Sequence, residues 1–406
     1  MTREQIYKEC TQKIAISNCL LMELSTGVGK TKMSIDLTNH ILKSKRYKQV
    51  GKINMLILVA KRVHKQTWEE EIRKWGGFNH PTASINIRME CYESLHKCTD
   101  TKYDILISDE VHHIGSEARL ELLKNISFSY FIGLSATIPE KLKRYFLYRY
   151  HSQTVSCNIN EAIEDSILPE PKIILFPLML DIRKPTETWE INSKVPGRVV
   201  QGEYKDFWKL KKQKVHALIS MTQKQKLLEY NKLIEWEKDM YMRTRREPLK
   251  QSWLYHAGKR LEYLSTIKLP IVLDILHRLS SYRTITFCKT IDQAELCSPY
   301  CIHSKNNRSN YIYRQFNSKR INHISAVNIL NENANLVDCK YAVFCNLSSS
   351  DISVPQRLGR ALRHKSPVII IPYYANTREE ELAKDMTTGF NNVITVHSIT
   401  EIITNS

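Results

Sequence analysis

The chain reads as an α/β protein: two domains, each a parallel sheet covered by helices, with a basic helical segment between them. Three observations predict this. Short apolar, β-rich runs recur, each followed by a polar or helical stretch. The runs fall into two sets, and the composition changes between the sets. Continuous apolar strands alternating with helices belong to parallel sheets buried on both faces.

The first set is CLLMEL (19–24), INMLILVA (53–60), YDILISDE (103–110) and YFIGLSA (130–136). The second is TITFCK (284–289), ISAVNIL (324–330), YAVFCN (341–346) and PVIIIPYY (367–374). Between them, PEPKIILFPLML (169–180) is punctuated by proline and reads as a connector with one strand. From Lys205 to Lys250 the chain reads as helical, with 13 Lys/Arg against 6 Asp/Glu. There Leu227, Tyr230, Ile234 and Tyr241 share one helical face, and Lys224, Lys226, Lys232 and Lys238 lie mostly elsewhere. That pattern fits a solvated amphipathic lid or a nucleic-acid-facing surface, with Trp208, Trp236 and Trp253 available to stack or to pack. The expected domains are therefore 1–168, a connector and basic segment over 169–268, and 269–406.

The 406 residues suffice for two cores, and 42% apolar with 25% charged residues is ordinary for a globular protein. The charge balance is not ordinary. Sixty Lys+Arg against 42 Asp+Glu leave +18, a surplus that favours a polyanion, nucleic acid before membrane. Ten cysteines without a CxxC pair read as reduced thiols of a cytoplasmic protein. Cys297, Cys301 and His303 lie close in sequence, but without an evident fourth ligand packing explains them better than zinc. No signal peptide is evident, and the longest apolar runs, near 173–180 and 368–371, are too short to span a bilayer.

Two stretches carry chemistry. In ELSTGVGKTKMS (23–34) a strand feeds a glycine-bearing turn and an amphipathic helix, the setting of a phosphate-binding loop. Thr26, Gly27, Val28 and Gly29 would turn backbone N–H groups toward a β-phosphate. Lys30 would reach the β/γ oxygens, and Thr31 would hold Mg²⁺. Leu24 stands where the fuller pattern G-x-x-x-x-G-K-[ST] has its first glycine. In DILISDEVHH (104–113) an apolar strand ends on Asp109 and Glu110. Ligands gather at the carboxyl ends of strands in such sheets. An acid pair there supplies a Mg²⁺ ligand, Asp109, and a base for the attacking water, Glu110. Together the two stretches point to ATP hydrolysis.

In order, STGVGKT (25–31), DEVH (109–112), SAT (135–137) and QRLGRALR (356–363) resemble motifs I, II, III and VI of the superfamily-two DExH-box helicases and translocases. Further segments agree: MLILVAKRVHKQTWEEEIRKW (55–75) resembles motif Ia, and CYESLHK (91–97) a DNA-contacting segment. EAIEDSILPEP (161–171) is similar to the connector of the restriction-subunit-like branch, and ITFCKT (285–290) to motif IV. The resemblance implies two RecA-like domains, with ATP and Mg²⁺ as cofactors. It implies that His112, Ser135 and Thr137 couple hydrolysis to movement. Gln356 would approach the γ-phosphate, and Arg360 and Arg363 would act as arginine fingers. Gln12 would contact adenine. Lys61, Arg62 and Ser94 would hold nucleic-acid phosphates, with Lys209, Lys211 and Lys212 adding a basic surface. Motif V departs from the pattern, with Asn333 and Asn335 in place of its glycine and aspartate.

The expected function is an ATP-dependent DNA helicase or translocase, monomeric and acting on single-stranded or branched DNA. Its compact size resembles UvsW-like, phage-type enzymes of repair, recombination or branch migration. An RNA helicase is the alternative within the enzyme class. A nucleic-acid binder with a vestigial ATP site is the alternative outside it.

Overall fold

The computed structural model describes residues 1–99, 101–327, 336–347 and 364–405. Strands β1 (Cys19–Leu24), β2 (Lys52–Val59), β3 (Ser84–Cys91), β4 (Tyr103–Asp109), β5 (Phe128–Ser135) and β6 (Gln153–Cys157) build the first sheet. All its pairings are parallel, in the order β3-β2-β4-β5-β1-β6. Helices α1 (Arg3–Ser17), α2 (Lys30–Leu42), α3 (Arg62–Lys74), α4 (Glu117–Lys124), α5 (Glu140–Tyr150) and α6 (Ile159–Glu164) cover it. Side chains alternate across the strands. Leu20, Met22 and Leu24 enter one apolar cluster with Ile53, Met55 and Ile57, and Leu21, Leu56 and Leu58 enter another on the opposite face. Burial on both faces is why these strands read as continuous apolar runs.

β7 (Lys172–Leu178) follows. It is the one strand expected within the connector, and it pairs with β15 and β16 of the second sheet. The insert comes next: β8 (Glu187–Ile191), β9 (Val200–Glu203), α7 (Phe207–Lys212), β10 (Ala217–Met221), α8 (Gln223–Thr244) and α9 (Glu247–Arg278). Its first part is not the uninterrupted helix expected from Lys205. β10 pairs antiparallel with β8 and parallel with β9, around a small core of Ile191, Phe207, Ala217, Ile219 and Met221. The boundary expected after 268 falls inside α9. A Thr222–Gln225 capping box starts α8, which runs antiparallel to α9. Pairing along the hairpin joins Tyr230 to Tyr263, with ring centroids 5.8 Å apart, and the buried Glu237 to Ser252 and His256.

The second sheet is completed by β11 (Thr284–Phe287), β12 (Cys301–Ile302), β13 (His323–Ala326), β14 (Tyr341–Phe344), β15 (Val368–Tyr374) and β16 (Val393–Thr395). Its order is β12-β13-β11-β14-β15-β7-β16, again all parallel. Helices α10 (Ile291–Cys297), α11 (Ser309–Asn317), α12 (Arg378–Thr387) and α13 (Ile399–Thr404) accompany it. The apolar end of α9, from Leu264 to Leu276, shares a cluster with Ile174, Phe176, Val343 and Ile370. Lys268 is fully buried there, donating to Glu379 Oε1 at 2.7 Å and to the Pro372 carbonyl at 2.9 Å. No helix among the described residues is long and apolar enough to cross a membrane.

Candidate active site

The phosphate loop joins β1 to α2. Leu24, at the position of the absent glycine, is the last residue of β1 and is wholly buried, so the core requires a side chain there. Gly27 and Gly29 have φ of 106° and 108°, a region costly for residues with a Cβ. Gly29 caps α2 without any side-chain hydrogen bond, so the first N–H groups of the helix are not claimed by a cap. Lys30 and Thr31 open that helix. Arg3, on α1, donates through Nε to the Val28 carbonyl at 3.0 Å and through Nη2 to the Ile167 carbonyl at 3.1 Å. It thus fastens the loop to the segment leading out of the first domain.

At the end of β4, Asp109 and Glu110 are 4% and 3% exposed. Asp109 accepts the indole N–H of Trp68 at Oδ2, 2.9 Å away, and its carbonyl accepts the Tyr92 hydroxyl at 2.6 Å. Burial raises the Tyr92 phenol well above its ordinary range, so it remains a donor. Glu110 adopts the left-handed conformation, φ 53° and ψ 58°. Such a conformation is unfavourable for a residue with a Cβ and recurs where a site fixes the side chain's direction.

Glu110, His112 and Ser135 are joined by hydrogen bonds. Ser135 Oγ lies 3.1 Å from Glu110 Oε2, 2.8 Å from the Thr137 carbonyl and 2.9 Å from His112 Nδ1. With a proton on Nδ1, His112 donates to Ser135, whose hydroxyl then donates to Glu110 or Thr137. A second tie crosses the same edge. Glu23, in β1, accepts the Ile138 N–H at 2.7 Å and pairs with Lys143 of α5 at 2.7 Å.

A cleft of about 530 Å³ collects these pieces. Thr26, Gly27, Gly29, Lys30 and Thr31 line it together with Asp109, Glu110, Trp68 and Trp75, and Tyr313, Arg314, Asn317 and Val337 face them from the second domain. Trp75 is flanked by the amines of Lys32 and Lys74, 5.2 and 4.7 Å from its ring. Sequence reasoning missed Trp68, Trp75, Arg314, Arg3 and Glu23. A tryptophan on the amphipathic α3 was the one available signal.

Other expected residues lie elsewhere. Gln12 is exposed on α1 and is not among the lining residues of this cleft. Lys61 and Arg62 are exposed at the start of α3, and Ser94 sits in the turn Tyr92–Cys98. Both segments follow neighbouring strands that end in register, Val59 beside Cys91, so they emerge side by side at the carboxyl edge. Lys209, Lys211 and Lys212 are exposed on α7. Gln356, Arg360, Arg363, Asn333 and Asn335 lie outside the described residues. Cys297 does not join Cys301 and His303; its sulfur is 3.8 Å from that of Cys288. Glu295 takes its place, with its carboxylate 3.8 Å from His303 Nε2.

Comparison with known proteins agrees with this geometry. Residues 3–140 match the family model of the type III restriction enzyme, res subunit, and residues 267–365 that of the helicase conserved C-terminal domain. A search of curated proteins gives no match. Among solved structures, a variant of S. cerevisiae Dbp5 bound to RNA and ADP BeF3 superposes with TM-score 0.59 at 9% identity, over 99% of this chain and 92% of that one. The ATP-dependent Type ISP restriction-modification enzyme LlaBIII bound to DNA gives TM-score 0.57 at 12% identity, over all of this chain and 32% of that one. The Pyrococcus furiosus Hef helicase domain gives 0.50 at 16% identity, over 94% and 97%. At these identities the likeness is one of fold: two parallel-sheet RecA-like domains. The two family models fall in order along the chain, the first over β1 to β5 and the second over the end of α9 and strands of the second sheet.

Proposed function

We propose that the protein is an ATP-dependent DNA helicase or translocase of the restriction-subunit branch, working as a monomer in the cytoplasm on single-stranded or branched DNA in repair or recombination. The observation that carries the reading is the cleft, where the phosphate loop and the Asp109–Glu110 pair face α11 of the second domain. The restriction-subunit match at residues 3–140 favours DNA over RNA as the track.

Lys30 binds the β/γ oxygens of ATP. The donor set of Thr31 hydroxyl and Asp109 carboxylate is all oxygen, which suits Mg²⁺ and leaves its other positions to phosphate and water. When bound, the ion would supply neutralising charge for the nucleotide's phosphates. Glu110 accepts the proton of the attacking water, its carboxylate aimed by the left-handed backbone and held by Ser135. By the motif resemblance alone, Gln356 would approach the γ-phosphate and Arg360 and Arg363 would act as arginine fingers. His112, Ser135 and Thr137 pass the state of Glu110 to the segment after β5. Contacts that differ between the ATP and ADP states move the domains, and Lys61, Arg62 and Ser94 grip the strand's phosphates meanwhile. The test is ATP turnover with and without DNA, alongside Lys30→Ala. Turnover that persists in Lys30→Ala sinks the site assignment.

A further inference from the structure

The insert between the two helicase segments presents a face that the motor chemistry does not use. Trp208 on α7 is 51% exposed and Trp236 on α8 is 57% exposed, an unusual placement for two indoles. Trp208 is held in place. Phe207, next to Trp208, is buried in the small insert core, and its ring meets the indole edge-on at 5.3 Å. The amines of Lys211 and Lys232 lie over the Trp208 ring at 5.0 and 5.7 Å. Lys232 is on α8, four residues before Trp236, so it shares a face of that helix with Trp236 while its amine reaches Trp208 on α7. Leu228, a further turn back, is 45% exposed on the same stripe. Lys209, Lys211 and Lys212 crowd the last turn of α7, and no carboxylate among the described residues pairs with any of the three.

The helix dipole accounts for lysines in a last turn. It does not account for the anchored Trp208 left open among them, or for Trp236 exposed on the neighbouring α8. Amines interleaved with exposed aromatic rings match an unpaired nucleic-acid strand, whose bases stack on rings while its phosphates meet amines. A duplex hides its base faces, and a purely acidic polymer such as poly-glutamate has no flat faces to offer. We infer that Trp208 and Trp236, with the α7 lysines and Lys232, form a second binding surface for single-stranded nucleic acid, separate from the loops at the sheet edge. The inference takes its ligand class from the motor reading.

The test titrates the full chain and its variants into a labelled single strand, the matching duplex and poly-glutamate. Trp208→Ala/Trp236→Ala is expected to weaken single-strand binding by about tenfold or more, and Trp208→Phe/Trp236→Phe to stay within about threefold of wild type, because phenylalanine keeps a stacking face. Duplex binding should change little, and thermal unfolding confirms that the variants fold. Lys209→Glu/Lys211→Glu/Lys212→Glu should lower the salt slope of single-strand binding by about 2. Wild-type affinity in the alanine variant overturns the inference, as does a parallel loss for duplex or poly-glutamate, which means the face reads charge alone. If Lys61→Glu/Arg62→Glu abolishes binding while the alanine variant binds normally, only this surface fails. If wild type binds no nucleic acid, the motor reading fails with it.

Discussion

Trp68→Phe isolates one hydrogen bond at the heart of the site. Trp68 is 1% exposed, and its indole N–H is held 2.9 Å from Asp109 Oδ2, itself 4% exposed. A hydrogen bond to a charged group contributes about 1.5–3 kcal/mol, and a buried carboxylate that loses one has no bulk water to replace it. What is lost is chiefly orientation, since the carboxylate regains rotamers that point away from the proposed Mg²⁺ position. Groups that orient metal ligands typically change metal affinity by about 10–100-fold, which agrees with that energy at about 1.4 kcal/mol per decade. The variant should therefore need roughly tenfold more free Mg²⁺ for half-maximal ATP turnover, with the rate largely restored at saturating Mg²⁺. The same shift should appear in the Mg²⁺ dependence of ADP binding, which requires no turnover. Phenylalanine leaves a small void, so thermal unfolding is measured alongside. An unchanged or lower Mg²⁺ requirement in a folded variant refutes the positioning role.

Glu110→Gln should abolish turnover while ATP still binds, and Lys30→Ala should weaken binding as well; a Gln variant with normal turnover removes Glu110 as the base. Lys268→Met should cost about 3–5 kcal/mol in urea unfolding by stranding Glu379 in the core, and Lys268→Met/Glu379→Leu should recover most of it. A single variant with the wild-type midpoint contradicts the buried pair. His323, bonded to Thr286 at 2.9 Å, is pushed by burial from 6.5 to about 4. The unfolded chain takes up its proton first, so the fold carries no penalty above about pH 6.5 and loses stability as pH falls toward about 4, by about 3 kcal/mol in all. His323→Gln should flatten that part of the urea midpoint's pH profile.

The central strands were legible because burial on both faces leaves an unbroken apolar signature: CLLMEL is β1 to the residue, and the other seven runs all coincide with strands, apart from the part of ISAVNIL that lies outside the described residues. β3 has no continuous apolar run like the others: SINIRMEC alternates apolar with polar residues, the pattern of a half-exposed strand at the sheet's edge. The small insert sheet was missed for a similar reason, as the lysines of α7 and α8 on either side of β10 masked its ALISM. Leu24 departs from the loop pattern because it belongs to the core. The loop and acid-pair residues that share the cleft stood out in the sequence, but the partners that orient them did not. Trp68 meets Asp109 across 41 residues and Glu23 meets Ile138 across 115, contacts that no local pattern encodes.

The most direct test is ATP turnover by the full chain measured alone and with single-stranded DNA, forked DNA, duplex and RNA. The account predicts that single-stranded or forked DNA stimulates turnover above both the resting rate and the RNA rate, and that Lys30→Ala removes the stimulated activity. Turnover indifferent to every nucleic acid would contradict a motor, and stimulation by RNA alone would contradict DNA as its track.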